Sequence, residues 1–148
     1  MDDKRITFLK KDFSQGFPSY CGCKADFIDE GVFHSSMIIE NKHKQQDGFV
    51  HAGVIATMAD HTAGYSAYTL VPDNVRILTI EFKINYFKPA IGEKVVCKSQ
   101  VINAGKTIIT SESNIFILSE EKETLISKAI VTLMAVPIES FRDKKRNQ

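Results

Sequence analysis

The sequence predicts an α+β fold in which one long helix is wrapped by a curved antiparallel sheet of five to six strands. Three observations point to it. Residues 49–69 are the one long stretch with helical character, residues 24–39 hold two short strand-like runs, and further strand runs separated by short turn signals fill 78–136. A single helix with a bulky face, beside a sheet large enough to curl, is covered best when the sheet wraps round it.

Taken in order, residues 1–20 are charged and then mixed, with Phe8, Phe13 and Phe17 spaced to suit either a short helix or a loop that docks aromatics onto the domain. Lys24 to Ile39 reads as two strands around a tight turn at Glu30-Gly31. Asn41 to Gly48 is polar and aperiodic, a loop running into the helix. At 100° per residue, the helix sets Val54, Ile55, Met58 and Tyr65 on one side. Gly53, Ala56, Thr57, Ala63, Gly64 and Ala67 fall on the other, with Asp60 in their midst. A stripe of small residues lets another backbone or a ligand approach, so this carboxylate is placed in a close-contact surface.

Val71-Pro72-Asp73-Asn74 ends the helix. Leu78, Ile80, Phe82, Ile84 and Tyr86 then alternate with more polar neighbours as a strand, which Lys88-Pro89 stops. Val95–Ile102, Thr107–Leu118 and Leu125–Val136 follow, joined by turns at Asn103–Lys106 and Ser119–Glu123, as an antiparallel meander.

Composition narrows the classes of function. A length of 148 residues with 43% hydrophobic content suits a single domain spanning 1–148, with an N-terminal extension at 1–20 and a charged tail at 139–148. Nineteen basic residues against eighteen acidic ones give a net charge of +1, which supplies no global attraction to nucleic acid or to an anionic membrane. A small-molecule or protein partner is expected instead. No apolar run reaches the length of a signal peptide or the ~20 residues of a membrane span, and a cytoplasmic location is expected. Three cysteines make no disulfide framework, and Cys21-Gly-Cys23 lacks the companion ligands of a structural zinc site, so reduced thiols and no metal are expected.

The free N–H groups at the start of the helix, around Ala52 and Gly53, form a ready anion or oxyanion site. Asp60 lies eight residues on, about 12 Å along the axis, whereas a catalytic group acts within about 3 Å of its target. One helix cannot bring both to one substrate. Two-fold symmetry lays the start of one helix beside the middle of its antiparallel copy, so an active site is expected between subunits.

His51-Ala-Gly53 followed by Asp60, the preceding Gln45-Gln-Asp-Gly48 loop, and Asn85-Tyr-Phe-Lys-Pro-Ala90 together resemble the hotdog-fold acyl-CoA thioesterases, specifically the PaaI-like (phenylacetate-pathway) subfamily. The resemblance runs from about Val32 to Val136. It implies that Asp60 is the catalytic carboxylate, as nucleophile or as the base that activates water, and that the Ala52 N–H is the oxyanion donor, where family members usually have glycine. His51 matches a histidine that orders the loop and helix start. Gln45 stands where the subfamily often has an asparagine that helps hold the thioester or water. Thr79 matches a hydroxyl that positions the attacking water, although it alternates with the apolar face of its strand, so a bulge or a subunit edge is needed to aim it.

Gly53, Lys88 and Lys106 are the candidates for binding coenzyme A, which enters as part of the substrate; no other cofactor is implied. The resemblance also implies self-association as a homodimer or homotetramer. Two other readings stand beside hydrolysis: a hotdog dehydratase or hydratase, which needs a catalytic histidine near an acid, and a regulatory protein that binds acyl-CoA without turning it over.

Overall fold

The computed structural model describes residues 1–141. Two N-terminal helices, α1 (Asp3–Phe13) and α2 (Gly16–Tyr20), precede the strands β1 (Lys24–Asp29) and β2 (Val32–Ile38). A 3-10 turn at Asn41–His43 leads to the long helix α3 (Ala52–Tyr68). The strands β3 (Val75–Tyr86), β4 (Lys94–Ala104), β5 (Ile108–Ser119) and β6 (Lys122–Pro137) complete the chain. All six strands form one sheet in the order β1-β2-β4-β5-β6-β3, with every neighbouring pair antiparallel. Helix α3 touches five of those strands, β2 to β6, so the sheet curls round it. The α+β architecture expected from the sequence is the one observed.

The start of the chain is helical. Asp2 caps α1 by accepting the Arg5 N–H at 2.8 Å, and Leu9 and Phe13, four residues apart on one face, are fully buried. The final turns β4-β5-β6 form the expected meander. Strand β3 does not sit next to β4, its successor in sequence, but returns to the far edge beside β6. The charged tail lies outside the described residues from 142 onward.

Helix α3 starts where the chain is pinned from three sides. Gly48 turns the loop at φ +87°, Val50 N–H donates to Ala90 C=O at 3.0 Å, and His51 N–H donates to His43 C=O at 2.7 Å. His43 is itself buried, its Nδ1 accepting the Glu40 N–H and its Nε2 donating to Cys21 C=O. A histidine that carried no signal in the sequence thus fixes the helix start.

The face of α3 turned into the core is Ile55, Met58, Ala59, Thr62, Ala63, Ser66 and Ala67, at spacings of three and four. This corrects the placement of Ala63 and Ala67 on the outer stripe: both are fully buried. Between Ala59 and Ala67 the core side is itself built from small residues, because α3 sits close on the sheet there and bonds to β5 and β2 through hydroxyls. Ser113 Oγ donates to Ala59 C=O at 2.7 Å, Ser66 Oγ to Ser111 Oγ at 3.0 Å, and Ser35 shares a 2.7 Å bond with Thr62. Gly53, Ala56, Thr57, Asp60 and Gly64 remain on the less buried side.

A bulge in β3 sets the direction of Thr79. Thr79 pairs with Leu133, yet Glu81 pairs with Thr132, so Ile80 is an extra residue. On β6, Leu133, Val131, Ala129 and Ser127 are all buried, and their partners Thr79, Phe82, Ile84 and Tyr86 share that inward face. Parity therefore switches between Thr79 and Phe82. The outer edge of β3 has no neighbouring strand, and Leu78, Ile80, Phe82, Tyr86 and the following Phe87 are exposed there.

Candidate functional site

Two concavities flank α3 on its exposed side. The first is a groove of about 540 Å³ at the start of the helix, lined by Gln45, His51, Ala52, Tyr86, Phe87 and Lys88 among others. The second, of about 180 Å³, lies along the middle and later turns, where Asp60 and Thr79 meet Asp12, Tyr65, Tyr68 and Arg76.

The groove is organised by the cap of α3. His51 is the N-cap residue, and its Nδ1 accepts the Gly53 N–H at 2.8 Å. A Cβ at position 53 would approach His51 Nδ1 to 3.0 Å, so glycine keeps the cap uncrowded. Gly53 has its N–H engaged within its own chain. The Ala52 N–H, by contrast, has no acceptor among the described residues, while Tyr86 Oη donates to the Ala52 C=O at 2.9 Å. Burial pushes the Tyr86 phenol upward, which keeps it the donor in that bond. Gln45 Oε1 accepts the Asp47 N–H, so its carbamoyl end is partly committed to shaping its own loop.

In the second concavity, Thr79 Oγ1 donates to Asp60 Oδ1 at 2.7 Å. This bond joins β3 to α3 and holds one carboxylate oxygen, leaving Oδ2 with open acceptor capacity. The bulge before Glu81 is what makes the bond feasible.

Asp60 and Ala52 do not share a concavity within one chain. The structure brings Gln45, His51, Ala52 and Lys88 together at one place and Asp60 with Thr79 at another. Lys88 and Lys106 are also far apart. Lys88 N–H donates to Ile126 C=O, whereas the turn carrying Lys106 meets β6 where Ala135 N–H donates to Thr107 C=O. Those β6 positions are nine residues, about 30 Å, apart at ~3.3 Å per residue.

Sequence reasoning missed Asp12 and Arg76 beside Asp60, and read Tyr65 only as part of the helix's bulky side. Tyr65 Oη donates to Asp12 Oδ2 at 2.8 Å, and burial, with the Asp12 carboxylate adding to it, pushes that phenol far upward. Arg76 donates to Tyr68 Oη and to Asp73 C=O, and forms no ion pair among the described residues. His61 packs its ring 4.4 Å from Phe13 and 4.9 Å from Tyr65, with Nε2 donating to Phe13 C=O at 3.0 Å. Burial lowers its pKa, so it is a neutral packing residue. The aromatic spacing of residues 8–17 was the only trace of this arrangement in the sequence. The three cysteines are unpaired and buried, with burial pushing Cys23 up to about 12.

Comparison with known proteins agrees with the architecture. Residues 47–124, which span α3 through the start of β6, match the family model described as the thioesterase superfamily. A crystal structure of a thioesterase family protein from Silicibacter pomeroyi superposes with a TM-score of 0.86 at 28% identity, covering 89% of this chain and 98% of that one. A Ralstonia eutropha protein described as related to phenylacetic acid degradation shares the fold at a TM-score of 0.70 and 16% identity, over 79% of this chain and 87% of its own. A protein from Halobacterium salinarum, provisionally named an esterase, is 25% identical over 105 residues, 68% of this chain and 69% of its own.

Proposed function

The chain belongs to the thioesterase superfamily and is a hotdog-fold thioester hydrolase, and from that premise we propose that it cleaves acyl-CoA to a free acid and CoA at a site shared by two subunits. The single observation that carries this reading is the Thr79–Asp60 hydrogen bond, which holds a carboxylate on the open side of α3 with one oxygen to spare. An oriented carboxylate and a free helix-start N–H are the parts that thioester hydrolysis requires.

In the reaction, the partner subunit's Ala52 donates its N–H to the thioester oxygen. Asp60 either attacks the carbonyl carbon or takes a proton from the attacking water. Negative charge builds on the carbonyl oxygen, the carbon–sulfur bond breaks, and CoA leaves as a thiolate. If Asp60 attacks, water then opens the mixed anhydride. Thr79 keeps the carboxylate aimed, His51 keeps the helix start in shape, and Gln45 lies close enough to the groove to contact the thioester end of the substrate.

Shared catalysis needs self-association. The uncovered β3 edge with its exposed apolar residues supports a homodimer that joins β3 edges and lays the two α3 helices antiparallel. The groove past Tyr86 to Lys88 is the path for the pantetheine and phosphates, with Gly53 keeping the approach low. A CoA contact from Lys106 would have to come from the other subunit. Membership of the PaaI-like subfamily accords with the loop, cap and strand motifs. Among the described residues no helix is long and apolar enough to cross a membrane, and three unpaired thiols suit the reducing cytoplasm.

His51 Nδ1 accepts the Gly53 N–H, a capping use of the ring that accords with hydrolysis, whereas a dehydratase would need the free Nε2 beside an acid. The test is thiol release from a panel of short, medium, long and aromatic acyl-CoAs, with Asp60→Asn run beside the wild type. Turnover that collapses in Asp60→Asn while acyl-CoA still binds supports the reading; binding without turnover in both proteins supports a sensor.

A further inference from the structure

The second concavity continues beyond the proposed reacting centre. Asp60 and Thr79 stand at one part of it, and the rest is walled by Tyr65 and Tyr68 of the later α3 turns, by Arg76 at the start of β3, and by Asp12 from the N-terminal helix α1. An acyl group whose carbonyl sits at Asp60 has this space available for its tail, whereas the CoA portion follows the groove at Ala52 and Lys88. Two features of the space restrict what fits.

The first is size. The 180 Å³ that one chain contributes here is close to the ~150 Å³ that holds one benzene ring, which favours a tail of about one ring or a short chain over a long alkyl group. The second is polarity. Asp12 receives Tyr65 Oη on one oxygen and Gln15 Nε2 at 3.1 Å on the other, with further lone pairs open on each. Arg76 keeps guanidinium N–H groups beyond those given to Tyr68, Asp73 and Val75. The wall therefore offers an acceptor and a donor together. A plain alkyl tail satisfies neither, and an anionic tail meets the Asp12 and Asp60 carboxylates against a single Arg76. A hydroxyl both donates and accepts.

We propose that Asp12 and Arg76 are specificity-determining residues that select a short acyl group bearing a hydroxyl at its far end. This rests on the thioesterase reading of Asp60. Asp12 lies outside the residues 47–124 that match the family model, so the selection is carried by an extension of the chain. Four contacts hold that extension in place. Phe13 stacks on Phe33 at 4.8 Å, His61 bonds to Phe13 C=O, and Arg5 donates to Tyr68 C=O at 2.7 Å and to Val71 C=O at 3.1 Å. These contacts tie the wall to the core behind it.

The experiment measures kcat/KM for hexanoyl-, 6-hydroxyhexanoyl-, adipoyl- and decanoyl-CoA with the wild type, Asp12→Leu, Asp12→Asn and Arg76→Met. A hydrogen bond to a charged group discriminates by about tenfold or more. The wild type is expected to prefer 6-hydroxyhexanoyl over hexanoyl by at least that factor and to work least well on decanoyl. Asp12→Leu brings the hydroxyl preference to about unity, Arg76→Met lowers it, and Asp12→Asn, which keeps an acceptor of similar shape, retains part of it. Because the readout is a ratio within each variant, partial loss of folded protein cancels. A wild-type preference for decanoyl, or a hydroxyl ratio unmoved by Asp12→Leu and Arg76→Met, overturns the proposal while leaving hydrolysis standing. No hydrolysis of any member by the wild type overturns the thioesterase reading itself, and this proposal with it.

Discussion

Thr79 Oγ1 donates to Asp60 Oδ1 at 2.7 Å, joining an edge strand to the exposed side of the central helix. The bond exists because Ile80 bulges out of the β3–β6 ladder, which turns Thr79 inward. Thr79→Val removes the donor while keeping the branched shape. A hydrogen bond to a charged group is worth about 1.5–3 kcal/mol, so kcat is expected to fall by about ten- to a hundredfold. Thr79→Ser, which keeps the hydroxyl, is expected to restore most of it. Steady-state kinetics of the two variants side by side checks this.

Ala52 is the first helical residue of α3, a position where proline is well tolerated because its missing N–H has no partner within the helix. His51, just before it, is already extended at φ −60° and ψ 136°, as a residue preceding proline prefers. Ala52→Pro therefore deletes the proposed oxyanion donor with little disturbance. The expected result is a near-native melting temperature with kcat reduced by about 10²–10³, the usual effect of losing one such donor.

The cap made by His51 has a separate signature. His51→Ala leaves the Gly53 N–H without its acceptor, and losing an N-cap costs about 0.5–2 kcal/mol. Urea unfolding should show that loss. Catalysis is expected to fall much less than in Asp60→Asn, as suits a residue that shapes the site without exchanging protons with the substrate.

His61 gives the protein an acid-sensitive stability. Burial lowers its pKa below the ordinary 6.5, with the Phe13 carbonyl and the Asp60 and Asp12 carboxylates opposing that shift. As pH falls through about 6.5 the unfolded chain binds the proton first, so stability drops from there down to the folded-state value and then levels. His34 acts in the same sense, lowered by burial and by Lys98. The melting temperature should decline on acidification below about pH 6.5, and His61→Gln should make that decline shallower.

What could be read from the sequence follows from periodicity. The helix with Asp60 in a small-residue stripe and the alternating strands each repeat a local pattern, and local patterns survive in a linear string. The bulge at Ile80 could be stated only as a requirement, because which residue leaves the ladder depends on pairing with β6. Ala63 and Ala67 were misplaced because size was used to find the core face, whereas α3 approaches β4 and β5 so closely that the core face is itself small. Asp12 and Arg76 were invisible as a pair, being 64 positions apart in the chain (76 − 12) and joined only by the walls of one cavity. The separation of Lys88 and Lys106 likewise becomes legible only once the register of β6 is known.

The central claim, that Asp60 of one subunit works with the partner subunit's Ala52, is tested most directly by mixing two inactive proteins. Asp60→Asn and Ala52→Pro are unfolded together, refolded as a one-to-one mixture, and assayed for thiol release from acyl-CoA. Each mixed dimer would hold one site with both lesions and one with none. Random pairing makes half the dimers mixed, so activity should return to about a quarter of the wild type. Activity that stays at the level of the two separate variants would contradict a site shared between subunits.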